Sequence, residues 1–356
     1  MPSVRKIAEA ADVSIGTVSR VLNNQPHVSP AVRARVLKAV NEMRDADGVG
    51  IRKSSSSIAL LYRGQSSLYS AFDSALLHGV AEELNQTEHD LMVINAAKSR
   101  GPGETLGQML VRRGVAGVLL RTTTMTHVMC EELATERFPA VAIADEVTNK
   151  HIGCVHGDAT NAIERALEHL VALGHRKIAV ALHVVDDFDH TKRLDTFRSF
   201  VSRHGLPTDD RWLIRSPATV AGGGAVLKQL MMLVDRPTAI FMIDPVMGVG
   251  LSIEAMRLGV KIPQDLSVVG FDDTGHRHAA YPMISSVCQD AEGLGRLAVQ
   301  HLLEVVDRRS TPRHISLECF FEPLESTAPP SSEGAVSFPH PQSTSASGHQ
   351  EKSQRC

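Results

Sequence analysis

Between residues 58 and 325, short apolar stretches alternate with amphipathic helical patterns, and that alternation restricts this part of the chain to a parallel-sheet α/β architecture. The stretches are IALLY (58–62), LMVI (91–94), GVLL (117–120), AVAIA (140–144), KIAVAL (177–182), AIFMI (239–243) and LSVVGF (266–271). Helical patterns between them include Asp73–Asn85, Thr160–Leu173, Gly248–Leu258 and Gly293–Val306. Continuous apolar strands of this kind are buried on both faces, with helices above and below. About 270 residues exceed one simple sheet. Two doubly wound subdomains facing a cleft are therefore expected, the first over about 58–155 plus 287–315 and the second over about 156–286 plus 316–325. Ligands of such sheets bind outside the carboxyl ends of the strands.

The first 44 residues have a different texture, all helical. Ser3 can cap a helix whose apolar positions are Val4, Ile7, Ala8 and Ala11. A tight turn follows at Asp12-Val13, and Ser14 can cap a second helix, Ile15–Leu22, with Val18, Val21 and Leu22 inward. Ser29 followed by Pro30 is a strong start signal for a third helix reaching about Met43. Two short helices on a tight turn, braced by a third, are helix-turn-helix geometry. The second helix would enter a major groove, presenting Ile15, Gly16, Thr17 and Arg20. Arg20 can fork onto guanine and Ile15 can meet a thymine methyl. Ser14, Thr17, Asn23, His27 and Ser29 have donors suited to phosphate. A small helical domain with no DNA role remains the alternative at this point.

Charge is distributed to match. Residues 1–57 hold nine Lys/Arg and five Asp/Glu, a net +4, whereas the whole chain is −3. A basic module on an acidic body suits a nucleic-acid partner. The five cysteines are scattered with no C-x-x-C pair, which argues for reduced thiols in the cytoplasm and against a zinc site. No secretory signal and no membrane-spanning run is expected, and residues 326–356, rich in Ser and Pro, are expected to be a disordered tail without leucine heptads. ATVAGGGAV (218–226) is Gly-rich but is neither a P-loop nor a dinucleotide fingerprint, and no G-x-S-x-G elbow occurs. DDFDH (186–190) could hold a metal, although such loops are more often solvated. No catalytic residue, cofactor or metal is therefore expected.

The stretch VRKIAEAADVSIGTVSRVLNNQPHVSPAVRARVLKAV (4–40) resembles the headpiece of the lactose-repressor/galactose-repressor (LacI/GalR) family of transcriptional regulators, the run over 13–23 being the most specific part. The resemblance implies that Ile15, Gly16 and Arg20 read bases, and that Ser14, Thr17, Asn23, His27 and Ser29 hold the backbone. Asp12 stands where that family usually turns on Gly; Asp tolerates the left-handed conformation. The family's hinge departs further. RDADGVGIRKSSSS (44–57) lacks the usual Pro-Asn step, leaving Ile51, beside Arg52 and Lys53, as the candidate minor-groove wedge, or a flexible tether over 45–57.

The resemblance extends over about 58–325, through ALEHLVALGHRKIAV (166–180), RLDTF (193–197) and DLSVVGFDDT (265–274). It implies a core like a type I periplasmic binding protein, two subdomains joined by three crossovers around a buried effector. Residue by residue, Arg193 matches an arginine that forks onto effector oxygens, Asp272 a hydroxyl-binding carboxylate, and Asp145 and Gln289 positions of polar contact. Strand-end capping by Asp272 and Asp273 is the alternative. Ile243-Asp244 replaces the family's Asn-Asp, so of that pair only Asp244 remains. Arg63 and Arg121 follow the first and third strands; with Arg193 they would suit an anionic sugar acid or sugar phosphate, unless they pair with Asp145, Asp272 or glutamates. The expectation is a homodimeric repressor on palindromic double-stranded DNA, responding to a sugar or sugar derivative. An effector-insensitive DNA-binding dimer and a cytoplasmic sugar-binding enzyme are the other readings.

Overall fold

A computed structural model of the chain describes residues 4–22, 28, 29, 31–33, 35, 36, 39, 57–62, 70–121, 126–184 and 187–331. Asn23, His27, Ile51 and Arg63, the expected hinge and most of the expected third helix lie outside these residues.

The N-terminal unit begins with α1 (Val4–Ala10) and α2 (Ile15–Leu22). Ile7, Ala8, Ala11, Val18 and Val21 close a small core with Val36 and Ala39 from the helical segment after Ser29. The chain reverses at Asp12, whose φ of 49° is left-handed. The Asp tolerated at this turn is thus used in the conformation that glycine would otherwise supply. Ser14 starts α2 by accepting a hydrogen bond from the Thr17 amide at 3.1 Å, and Ser29 accepts one from the Val32 amide at 3.4 Å.

The first subdomain runs β1 (Ser57–Tyr62), α3 (Ala71–Leu84), β2 (Asp90–Asn95), α4 (Ala96–Ser99), α5 (Leu106–Arg112), β3 (Val115–Leu120), α6 (Thr126–Thr135), β4 (Ala140–Ile143) and β5 (Gly153–Asp158). The second runs α7 (Thr160–Ala172), β6 (Ile178–His183), α8 (Phe188–Arg203), β7 (Leu213–Ser216), α9 (Val220–Met231), β8 (Ala239–Met242), α10 (Pro245–Leu258), β9 (Ser267–Asp272) and β10 (Ser285–Cys288). The chain then returns through α11 (Ala291–Val306) to add β11 (His314–Glu318) to the first sheet and β12 (Phe320–Glu322) to the second. Strand orders are β11-β5-β4-β3-β1-β2 and β12-β10-β9-β8-β6-β7, parallel throughout except β12. Each sheet thus repeats one doubly wound order, and the chain passes between them at Asp158–Thr160, Cys288–Ala291 and Glu318–Phe320.

Both sheets are sandwiched by helices, so β3, β4, β8 and β9 are almost wholly buried. Their apolar runs satisfy both faces at once. The returning α11 lies against α3 backbone to backbone. A Cβ on Gly79 would stand 2.0 Å from the Glu292 carbonyl oxygen, and one on Gly295 2.3 Å from that of Leu76. Glycine at both positions permits this approach, which anchors the second crossover to the first subdomain.

Residues 326–328, expected within the tail, are built into the second subdomain. Ser326 is fully buried, and its Oγ accepts from the Ser285 amide at 2.8 Å. His175 is buried between Thr238 Oγ1 at 2.8 Å, Ser267 Oγ at 3.0 Å and the Ala328 carbonyl at 2.9 Å, tying residues 326–328 to the second sheet. Backbone groups supply this order where apolar side chains are few, which composition does not reveal. Cys130, Cys154, Cys288 and Cys319 are free and buried, and burial pushes each thiol up to about 12, so all four are inert. Among the described residues no helix is long and apolar enough to cross a membrane.

Candidate functional site

Two surfaces concentrate functional groups. The first is the outer face of α2. Val18 and Val21 turn inward, leaving Ser14, Ile15, Gly16, Ser19 and Arg20 exposed. Ile15 is 54% exposed at the first turn, an apolar side chain with no apolar cover. Ser14 Oγ and Thr17 Oγ1 lie 2.9 Å apart at the helix start. Arg20 folds back along its own helix, its Nε donating to the Gly16 carbonyl at 3.2 Å. That bond is exposed and made to a carbonyl already within the helix, so little opposes its exchange for a guanine edge. Gly16 leaves the surface between Ile15 and Arg20 open to close approach by a backbone.

The second surface gathers at the carboxyl ends of the strands. Arg121 follows β3, Asp145 follows β4, Asp187 and Asp189 follow β6, Asp244 follows β8, Asp272 and Asp273 end β9, and Gln289 follows β10. Charges from the two subdomains reach one another here: Asp145 feels Asp187, and Asp189 feels both Arg193 and Arg121.

Arg193 is the centre of the second half. It projects from the second turn of α8 and is buried. Its guanidinium carbon lies 3.6 Å from the centroid of the Phe271 ring, a close cation–π contact. Its Nη2 donates to Gln289 Oε1 at 3.1 Å and stands 3.6 Å from Asp189, while Nη1 donates to the Ile243 carbonyl at 3.4 Å. Gln289 is itself buried, and its Nε2 finds no partner among the described residues.

Beside it, Asp187 caps α8 by accepting from the His190 amide at 2.8 Å, and its Oδ1 also accepts from His190 Nδ1 at 2.7 Å. The other ring nitrogen stands 3.8 Å from Asp244, an ion-pair separation too long for a hydrogen bond. Asp244 precedes Pro245 at the start of α10 but bonds no helix amide with its side chain, so its carboxylate is available to His190. Burial alone would lower the His190 imidazole, but the hydrogen bond to Asp187 and the Asp244 carboxylate outweigh it and lift it to about 9. Burial likewise opposes ionisation of Asp187, and His190 overrides it, holding that carboxyl down at about 2. The neighbouring acids move the other way. Asp189 and Asp145 are raised by burial, and Asp273 is pushed up to about 7 by burial and by Asp244, Asp272 and Asp189, with Arg193 opposing. Asp273 keeps some surface as a residue, yet its Oδ1 is shut off from solvent and unpartnered among the described residues.

These shifts fix a pH dependence. The imidazole of His190 titrates higher in the fold than its ordinary 6.5, so its stabilisation is complete below about 6.5 and is lost as pH rises through 9. Asp273, also raised, loses its part between its ordinary 3.8 and about 7. His169, His175, His183 and His301 are lowered by burial and act oppositely, costing stability as pH falls below 6.5. Thermal melts of the free chain should show an apparent Tm lower at pH 9 than at pH 7 by about 4–8 °C, corresponding to roughly 2 kcal/mol. His190→Gln should reduce that fall, the remainder coming from the four buried thiols, which resist the ionisation that begins near 9 in the unfolded chain; an unchanged slope would place the titrating group elsewhere.

The residues expected from sequence separate into groups. Arg193 is hydrogen-bonded to Gln289, Asp244 stands beside His190, and Asp145 reaches the same group through the charge of Asp187. Asp272 lies there too, but it closes its own loop, accepting from the Thr274, His276 and Arg277 amides and from Arg277 Nη1 at 2.5 Å. Arg121 is committed to Asp73 at 2.8 Å and lies 5.0 Å from the centroid of the Phe72 ring. The described residues therefore do not gather three unengaged guanidiniums. Asp187, Asp189, His190, Phe271 and Asp273 were not singled out as cleft residues. The signal was present in DDFDH, whose 187/190 spacing and 189/193 spacing place cap, acid, base and arginine on successive helical turns.

Residues 3–44 match the family described as "Bacterial regulatory proteins, lacI family", and residues 167–327 match the "Periplasmic binding protein-like domain". Catabolite control protein A of Priestia megaterium is 24% identical over 318 residues, spanning 88% of this chain and 95% of its own length. The ribose operon repressor of Haemophilus influenzae is 26% identical over 308 residues, spanning 85% of this chain and 92% of its own. Among solved structures, the transcriptional regulator CelR–cellobiose complex superposes with a TM-score of 0.67 at 25% identity, covering 92% of this chain and 100% of that one.

Proposed function

The chain belongs to the LacI family of bacterial regulatory proteins, and we propose from that premise that it is a cytoplasmic, sequence-specific repressor whose operator affinity is set by a small polyhydroxylated effector in the cleft. The observation that carries the DNA reading is the exposed face of α2, where a capped helix start presents Ile15, Gly16 and Arg20 together. Base edges are read by side chains of this kind at the first turns of a recognition helix, and hydroxyls at the helix start suit phosphate. Thr17, Ser14, Ser29, Asn23 and His27 take the backbone role, and Ile51 the candidate wedge at the centre of the site.

Two chains acting as a dimer would place two such helices in successive major grooves. An apolar stripe on α10 supports a second copy. Ile253 and Met256 are exposed one turn apart, and Val220, whose backbone lies against Gly250 of the same helix, is half-exposed. The cleft supports an effector that closes the subdomains, with Arg193 and Gln289 as hydrogen-bond donors and Asp145, Asp244 and Asp273 as acceptors for hydroxyls. An effector shifts operator affinity only by its difference in affinity for the two cleft states. The ribose and cellobiose in the names of two relatives support a sugar-like skeleton.

Selection of the purified protein on random duplex DNA at fixed salt tests the reading. Enrichment of a palindrome with one recognition element per half-site is expected. Recovery of only salt-sensitive, sequence-independent binding would overturn it.

A further inference from the structure

Among the described residues, charges at the strand ends do not balance. Asp145, Asp187, Asp189, Asp244 and Asp273 converge from the ends of β4, β6, β8 and β9. Against them stand Arg193 and His190, since Arg121 is already neutralised by Asp73. Asp272 does not alter the balance, because Arg277 bridges it to Glu322 outside this set. Lys192 does not alter it either: its amine lies 5.7 Å from the Phe188 ring centroid and interacts with Asp158.

The positive groups are also the more heavily engaged. One face of the Arg193 guanidinium is covered by Phe271, and its nitrogens serve Gln289, Ile243 and Asp189. His190 lies between two carboxylates. The unengaged groups among the described residues are carboxyls. Among the described residues, Asp273 Oδ1 is sealed from solvent without a donor, and the Asp244 oxygens have no closer cation than His190 at 3.8 Å. An anionic ligand would add charge to this surplus.

The surplus is also not a metal cage. Among the described residues, no three of these carboxylate and imidazole donors lie within 4.8 Å of one another, the spacing that a compact cation requires. A spread wall of carboxylates around one arginine fits an extended organic cation instead, with hydroxyls for Arg193 and Gln289 and a charged amine for Asp273 and Asp244.

Resting on the effector-regulated reading above, we propose that the cleft is built for a polyhydroxylated molecule bearing a protonated amine, such as an amino sugar, with Asp273 as the principal amine-binding carboxylate and Asp244 beside it. Gln289 Nε2 then finds its acceptor in a ligand hydroxyl. The amine supplies the donor that Asp273 otherwise lacks.

Calorimetric titration of the full chain at pH 7 with matched sets tests this: glucosamine, glucose and gluconate, then galactosamine, galactose and galactonate. The amine of at least one set should bind about tenfold or more tightly than its neutral partner, with the acid weakest. Asp273→Asn is isosteric at an atom with no partner to lose, and it should bring amine and neutral sugar to within about threefold. A neutral or acidic member binding as tightly as its amine overturns the proposal, and so does the failure of every amine to bind. Operator selection on the same preparation reads the regulator assignment separately: a recovered palindrome alongside no amine preference removes the amine and leaves the regulator standing.

Discussion

Arg20→Ala should weaken binding to the selected operator by roughly 100-fold or more at fixed salt, while binding to scrambled duplex changes little. A bidentate arginine–guanine contact discriminates by about 1–3 kcal/mol, and a dimer makes it once in each half-site, so the two losses multiply. Arg20 is exposed and, among the described residues, its Nε is bonded only to the Gly16 carbonyl of its own helix, so the fold does not depend on it. Its removal should leave the melting temperature unchanged, within the roughly 0.5 kcal/mol typical of surface substitutions. Fluorescence anisotropy against operator and scrambled duplex, each over a series of salt concentrations, separates the possible roles. A collapse of the specificity ratio with an unchanged salt slope identifies a base contact. An equal loss on both duplexes, with a shallower slope, would make Arg20 a phosphate contact and move the reading of bases to Ile15 and Gly16.

The contrast between that helix and the cleft explains which parts of the molecule were legible. Strands with continuous apolar runs, such as 58–62 and 239–243, were readable because burial on both faces leaves no other use for such segments. The turn at Asp12 was readable because few residues adopt its φ. Strands β5 (GCVHGD), β7 (LIRS), β10 (SSVC), β11 (HISLE) and β12 (FFE) were not among those expected. Each breaks its apolar run with polar, charged or glycine residues, and neighbours satisfy them: Ser285 and Ser286 are buried in β10, each hydrogen-bonded within a few residues or to the Ser326 segment. No local pattern announces a strand whose stability comes from its partners. At the strand ends, the sequence points to single residues and not to a balance. Sequence singles out Arg193, Asp244 and Gln289, but only the fold brings five carboxylates from four strand ends, among the described residues, around the engaged Arg193. It also assigns the two acids of GFDD differently, one to the loop and the other to the cleft. That division depends on where Arg277 returns, a contact that spacing alone does not fix.

Arg193→Met should abolish the effector response while leaving operator binding in place. Methionine keeps much of the volume over Phe271 but removes every donor that serves Gln289, Ile243 and Asp189. Breaking a buried ion pair from one side costs about 3 kcal/mol, because the remaining acid is left without its partner. For a core of this size that corresponds to a fall of roughly 6–12 °C in apparent Tm. The headpiece has its own core of Ile7, Ala8, Ala11, Val18, Val21, Val36 and Ala39, so affinity for operator should persist at temperatures well below the melt. The decisive readout is the ligand-induced rise in Tm, measured with whichever sugar of the matched sets stabilises the parent chain most; it should vanish in the variant. Arg193→Lys then separates charge from shape. A lysine restores the positive charge beside Asp189 and should recover part of the lost stability, but it cannot lie flat on Phe271 and reach Gln289 and Ile243 with a planar fork. If lysine also restores the ligand-induced shift, the cleft needs only a charge at this position. If methionine retains the shift, the effector is held elsewhere, and the buried arginine serves only to join β8, β9 and β10 at their carboxyl ends.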